Sequence, residues 1–272
     1  MHCKLLPSFW RILVAVLILG TLPTAGGVRA QGMMSHVDLN SPRMTTAELT
    51  RADIEAMLGA ASGKPLDLAD KGLNGLDLSG LDLTGADLRR SRLNRAKLAG
   101  ARLDGAQLDM AWAMDADFTG ASLKQAQLFQ AQFLRARFDG ADLSQARIIG
   151  TFDGGSFVGA RLIDADGAPD MRNQSMGLTR ASFRSARMQN ADLSGARLAW
   201  ADMEFAKLQG ANLEGADLSQ ARLGGINLTG ARLAGCNVTG AGVASAMLQG
   251  IQGADQIIGL DQTLHLDRAF RD

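Results

Sequence analysis

The feature that most restricts this chain is a five-residue spacing. From Leu68 an apolar residue returns at every fifth position through Leu73, Leu78, Leu83, Leu88, Leu93, Leu98 and Leu103 to Leu108, then from Phe118 through Leu123, Leu128, Phe133, Phe138 and Leu143 to Ile148. The spacing resumes at Leu178, passes Phe183 and Met188 and runs on to Leu248, while Phe152, Phe157 and Leu162 keep it one residue early between the two blocks. A helix would show a period of about 3.6 and a strand a period of about 2. Neither fits, and an in-phase repeat this short marks a solenoid whose units bury their apolar side only by stacking on their neighbours. Two residues before each centre stands something small, nearly always Ala, as at Ala86, Ala141 and Ala216. The unit reads Ala, polar, Leu, then two variable residues.

Runs such as Ala86-Asp87-Leu88, Ala141-Asp142-Leu143, Ala191-Asp192-Leu193, Ala211-Asn212-Leu213 and Ala216-Asp217-Leu218 resemble the pentapeptide-repeat family, over residues 66–250. The resemblance implies an all-β fold, a right-handed quadrilateral parallel β-helix with four units per coil, so that about 35 units give close to nine coils. Large centre and small preceding residue would both face inward, and residues 20 apart would stack. The polar position then predicts ladders of alternating sign: Asp77, Lys97, Asp117 and Arg137 on one face, with Asp82 over Arg102, Arg197 over Asp217 and Asp202 over Arg222 elsewhere. Opposite charges facing each other across strands contribute about 0.2–1 kcal/mol per pair, and exposed pairs lie at the low end.

Around the repeats the chain divides further. Residues 1–30 read as a signal peptide, with Lys4 and Arg11 in front of the apolar stretch Ile12 to Leu22 and a small-residue cleavage site at Val28-Arg29-Ala30. That stretch is short of the ~20 residues that span a bilayer, so the expectation is export to the periplasm or beyond in a bacterium, with no stable membrane span after cleavage; an uncleaved anchor is the alternative. Residues 31–65 form an N-terminal segment with a capping helix. Thr45-Thr46-Ala47-Glu48 has capping-box spacing, and Leu49, Ile54, Met57 and Leu58 mark one helical face before Gly59. Block 1 covers 66–164, an interrupting loop 165–177 and block 2 178–250. Because Ile148 and Leu178 are 30 residues apart, the early step is made up inside the loop, and one continuous stack with a bulge is expected. Residues 251–272, with Ile257, Ile258, Leu260, Leu264, Leu266 and Phe270, form a C-terminal cap that closes the stack or pairs two chains as a homodimer.

Chemistry-bearing residues are sparse. Tyr is absent, and beyond residue 30 only His36, His265 and Cys236 remain. A single cysteine excludes an intramolecular disulfide, and at an inward Ala position Cys236 reads as an inert buried thiol. Two distant histidines assemble neither a metal site nor a Ser/His/Asp arrangement, and the carboxylates recur with the repeat instead of pairing for acid/base work. No catalytic residue, metal ligand, cofactor site or enzyme activity is therefore expected. The 28 basic and 28 acidic residues become a net charge of −3 once the leader, with Lys4, Arg11 and Arg29, is removed, which speaks against nucleic-acid binding.

Surface is what remains. Met110, Trp112, Met114, Phe129, Leu134 and Ile149 put apolar side chains at outward positions of block 1, and Trp200 and Phe205 do so in block 2. Such patches mark partner surfaces, unless the 165–177 loop folds over the first group and makes it a satellite core. The expected function is that of a non-catalytic exported repeat scaffold for protein-protein or envelope interactions. The resemblance supplies an alternative, since some family members mimic B-form DNA and bind DNA gyrase. Mimicry of spaced phosphates needs an acidic surface, which Arg92, Lys97, Arg102, Arg147, Arg187, Arg197, Arg222 and Arg232 interrupt.

Overall fold

A computed structural model describes residues 38–169 and 179–271. The expected signal peptide, His36 and Leu178 lie outside the described residues. The chain divides into Met1–Asp38 and Leu39–Asp272, and the architecture below belongs to the second unit.

Each unit contributes one bridging residue, its polar position, to a parallel ladder. Asp77 pairs with Lys97, Lys97 with Asp117 and Asp117 with Arg137, so neighbours on a face are 20 residues apart and four units make a coil. Two backbone bonds hold each rung: the Leu78 N–H donates to the Lys97 carbonyl at 2.7 Å and the Lys97 N–H to the Leu76 carbonyl at 2.8 Å. The centre then turns the corner, its carbonyl accepting the N–H three residues on, as Leu98 does from Ala101 at 3.0 Å. The third residue of that turn takes positive φ, 65° at Gly100, 66° at Gly120 and 67° at Gly140, as a type II turn requires. The last variable position of the unit is therefore not free: where Gly is missing, Arg90, Asp115 or Gln145 still adopts 56°, 57° or 59°.

Inside, the centres and the preceding Ala residues form one continuous buried cluster. Its middle is aromatic. Phe118, Phe138 and Phe157 stack in one column with 4.8 Å between successive centroids, while Phe133, Phe152 and Phe183 stack in the next at 5.4 and 5.0 Å. The columns meet edge to face, as Phe118 and Phe133 do at 5.6 Å. Burying rings of this size in such contacts stabilises by about 0.5–1.5 kcal/mol per pair beyond the area term.

The aromatic stretch coincides with the irregular register. Gln132 pairs with Thr151, one residue early, and Thr151 pairs with Ser182, across an insertion of eleven residues. Phe152 nevertheless stacks on Phe183, so the core runs through the interruption. The insertion starts later than the expected loop: Ala165 is buried, Asp166 bridges both Arg147 and Arg197, and Gly167 donates to the Arg197 carbonyl at 2.8 Å. Gly167 thus holds the centre between Ile148 and Leu198. A Cβ there would stand 2.8 Å from Ala181 Cβ and 2.9 Å from Leu198 Cδ2, so this corner has no room for a side chain, and a search for apolar centres passes over it.

The N-terminal segment also differs from expectation. Among the described residues two helices, α1 (Pro42–Thr45) and α2 (Arg51–Ala60), precede the repeats. The capping box belongs to Thr50 and Asp53, the Thr50 N–H donating to Asp53 Oδ2 at 2.8 Å and the Asp53 N–H to Thr50 Oγ1 at 3.2 Å. Thr45 to Glu48 cannot serve because the chain there is already paired: Ala47 forms an antiparallel bridge with Leu73, and the Glu48 N–H donates to Gly72 at 2.7 Å. Ile54 of α2 is fully buried in the common core, with Leu49, Met57 and Leu58 packed against it. Arg51 fixes the helix further, donating to the carbonyls of Asp77 at 3.0 Å and Ser79 at 3.2 Å.

At the other end the spacing becomes six. Gln252, Ile258, Leu264 and Phe270 bridge Arg232, Asn237, Gly242 and Met247. Between them a left-handed residue, Gly253, Gly259 or His265, opens a single 3-10 turn over Ala254–Gln256, Leu260–Gln262 or Leu266–Arg268. The repeat is plain once seen: Gly-Ala-Asp-Gln, Gly-Leu-Asp-Gln, His-Leu-Asp-Arg. Ile257, Leu260 and Leu266 pack against the core, whereas Ile258, Leu264 and Phe270 are 55%, 56% and 56% exposed. Among the described residues no helix is long and apolar enough to cross a membrane.

Candidate interaction surface

The polar position and the residue two further on form a local module. Asp82 Oδ1 accepts the Thr84 N–H at 3.1 Å and its hydroxyl at 2.6 Å, and Asp117 with Thr119, Asp142 with Ser144 and Asp192 with Ser194 repeat the arrangement. The Thr84 bonds hold the Asp82 carboxyl below the usual range, with Arg102 adding to the effect. Of the expected ladders, Asp82 meets Arg102 at 3.3 Å, Asp117 meets Arg137 at 3.6 Å and Asp202 meets Arg222 at 3.1 Å. Arg197 turns instead to Asp166 at 3.5 Å, and Asp77 is reached by Arg51 at 3.6 Å. Charge on the faces is therefore largely consumed in turn formation and ion pairs. Its densest knot joins Arg184 and Arg222 to both Asp202 and Glu204, beside Asp153, whose carboxyl is pushed up chiefly by burial.

Chemistry-bearing residues stay apart. Among the described residues no group of three His, Cys, Asp or Glu could hold a metal. Cys236 is buried, its thiol pushed up to about 12 by burial and secondarily by Asp217, and His265 sits in a turn of the terminal coil. An open groove of about 520 Å³ is lined by Asp104, Lys124, Asp142 and Arg161, but Asp142 pairs with Lys124 and Arg161 at 3.5 Å each.

The eight apolar residues expected outside divide. Met110 is 41% and Phe205 59% exposed. Trp112, Phe129, Leu134 and Trp200 are half-buried, and the Arg147 guanidinium covers the Phe129 ring at 4.9 Å. Met114 and Ile149, at 6% and 1%, are not surface residues. Met114 stands one rung beyond Asn94, on the side where the N-terminal segment docks: Asn74 donates to the Thr46 carbonyl at 2.9 Å and Asn94 to that of Met44 at 3.1 Å, while the Met114 N–H donates to Asn94 Oδ1 at 3.0 Å. Ile149 lies where the register steps early and, one rung on, the insertion departs after Gly167. The eight come together as no single patch.

Sequence reasoning placed Ile258, Leu264 and Phe270 in the C-terminal cap, as a closure or a contact between two chains, but did not separate its outward residues from its inward ones. Met247, bridged to Phe270, is 39% exposed and adds to Ile258 and Leu264 on the terminal coil. The change of spacing from five to six was the available signal. A search for inward centres could not tell Ile257, which packs inward, from Ile258, which does not.

Among solved structures the chain is similar to HetL, a pentapeptide repeat protein involved in heterocyst differentiation regulation from the cyanobacterium Nostoc sp. strain PCC 7120, with 25% identity over 82% of this chain and 95% of that one and a TM-score of 0.24. It is similar to QnrB1, a plasmid-mediated fluoroquinolone resistance protein, with 18% identity over 76% and 90% of the two chains and a TM-score of 0.35. A pentapeptide repeat protein of the Arabidopsis thaliana thylakoid lumen matches at 21% identity over 70% and 88%, with a TM-score of 0.17. No curated protein matches the chain. The family model for pentapeptide repeats matches in 8 copies, over residues 73–109, 114–150, 178–215 and 211–241. With a 20-residue ladder, inward Ala and Leu and a turn at every fifth residue, the chain belongs to the pentapeptide repeat family.

Proposed function

We propose that the protein is a non-catalytic, exported repeat scaffold whose side faces bind a protein or envelope component. The observation that carries this reading is the contrast between a buried apolar interior and isolated outward apolar side chains, Met110 and Phe205 above all. Export, to the periplasm or outside a bacterial cell, rests on the composition of residues 1–30. The scaffold is a right-handed quadrilateral β-helix of close to nine coils, with α2 shielding one end of the core. The exposed Ile258, Leu264 and Phe270 give its terminal coil a surface for a second copy of the chain. The gyrase-binding DNA-mimic reading is the weaker one, because arginines stand in register with the carboxylates that a phosphate-like stripe would need.

Affinity purification with cross-linking from the native host, with the compartment recorded, tests the reading. The wild type is expected to bring down an envelope partner that a Met110→Ser/Trp112→Ser variant, still folded, loses. Recovery of gyrase from the cytoplasm would sink both the export and the scaffold readings.

A further inference from the structure

One side of the two coils after the insertion is unlike the rest. Arg187 and Lys207 stack directly on the ladder, both exposed, like charges on rungs about 4.8 Å apart. Neither has a carboxylate partner among the described ion pairs. The carboxylates of the same coils are committed elsewhere: Asp202 and Glu204 to Arg184 and Arg222, Asp192 to Ser194 and Asn212, and Glu214 to Arg232. Two residues beyond each cation, on the same side, stand Gln189 and Gln209, whose buried Oε1 atoms accept no hydrogen bond. Buried acceptors without donors are costly and uncommon. The two half-buried amides, on long flexible side chains, gain by turning toward a ligand that brings hydroxyl or N–H donors. At the corner leading into Lys207, Phe205 lies across Gly225, where a Cβ would stand 2.6 Å from the ring. The rod backs the aromatic ring, yet 59% of the residue is open to solvent.

We infer that Arg187, Lys207, Gln189, Gln209 and Phe205 form a binding site for an anionic saccharide, a sugar chain carrying carboxylate or sulfate groups. The cations take the anionic group in charge-assisted hydrogen bonds. The amide oxygens accept sugar hydroxyls, and the backed ring receives the apolar face of a pyranose. A phosphodiester backbone offers no donor to the amides, and an acidic peptide, whose N–H groups could serve them, lacks the rigid apolar face that a pyranose lays on a single ring. The inference rests on the reading of the chain as a non-catalytic binding scaffold and gives one of its faces a ligand class. It shares Phe205 with the outward apolar residues of that reading but none of the residues altered in the affinity purification, so either can fail alone.

The test is titration of the full chain with a hexagalacturonate, a sulfated hexasaccharide, a neutral hexasaccharide and hexaglutamate, at low and high salt. At least one anionic saccharide is expected to bind with salt sensitivity and the neutral one not to bind. Arg187→Ala/Lys207→Ala is expected to weaken binding by about tenfold or more, and Phe205→Ala and Gln209→Leu by smaller factors, with circular dichroism that stays that of the folded chain. Absence of binding to both anionic saccharides, or binding indifferent to these variants, overturns the site. Equal binding of hexaglutamate that ignores Phe205→Ala overturns it in favour of an acidic-peptide surface.

Discussion

Two glycines show how differently the same residue type constrains the chain. Gly100 has φ of 65° and open space where a Cβ would stand, so Gly100→Ala forces a left-handed alanine and should cost about 1 kcal/mol through the backbone alone. Gly167 is required by volume, and Gly167→Ala pushes a methyl between Ala181 and Leu198, with an expected loss of about 1–3 kcal/mol. Urea unfolding of both variants measures the two effects. Phe138, sandwiched between Phe118 and Phe157, should lose about 3–5 kcal/mol on change to Ala. Asp153 offers a test in pH. Its carboxyl holds a proton more tightly in the folded chain than at the ordinary 3.8, so its contribution favours folding below that value and is lost as pH rises through the raised one. Ionised at neutral pH, it destabilises. Asp153→Asn keeps an acceptor for the Ser182 hydroxyl at 2.6 Å and the Arg184 N–H at 3.0 Å; its melting temperature should exceed that of the wild type at pH 7 and match it near pH 3.

At the scale of the element, what the sequence discloses depends on whether a rule is local or relational. The five-residue unit, inward Ala and Leu and a 20-residue ladder were legible because each recurs many times in phase. Thr45-Thr46-Ala47-Glu48 misled because the spacing of a capping box records only that a side chain could reach back; whether Ala47 pairs with Leu73 instead is decided by the first coil. The outward patch was half legible for the same reason. Met110 and Met114 both take variable positions of their units, yet Asn94 and the docked N-terminal segment close the second and leave the first open. The Arg184–Glu204–Arg222 knot was missed because its members occupy two different positions of the unit. Breaking it by Glu204→Ala leaves Asp202 to answer both arginines, and a loss of about 1–2 kcal/mol in chemical denaturation is expected, reduced by salt.

For the whole chain, the exposed apolar residues of the last coil carry the prediction. If two copies meet there, light scattering should show a dimer, and Leu264→Lys/Phe270→Lys a monomer with the circular dichroism of the folded chain; a wild-type monomer at all concentrations would remove the second copy from consideration. The six-residue coil has another consequence. A stack of identical rungs has no intrinsic length, since each layer templates the next. Lengthening every side by one residue makes the final layer a different polygon, and Gly253, Gly259 and His265 stand where a further layer would look for apolar centres. A neighbouring molecule that offers another five-residue layer therefore meets a mismatched template at this coil.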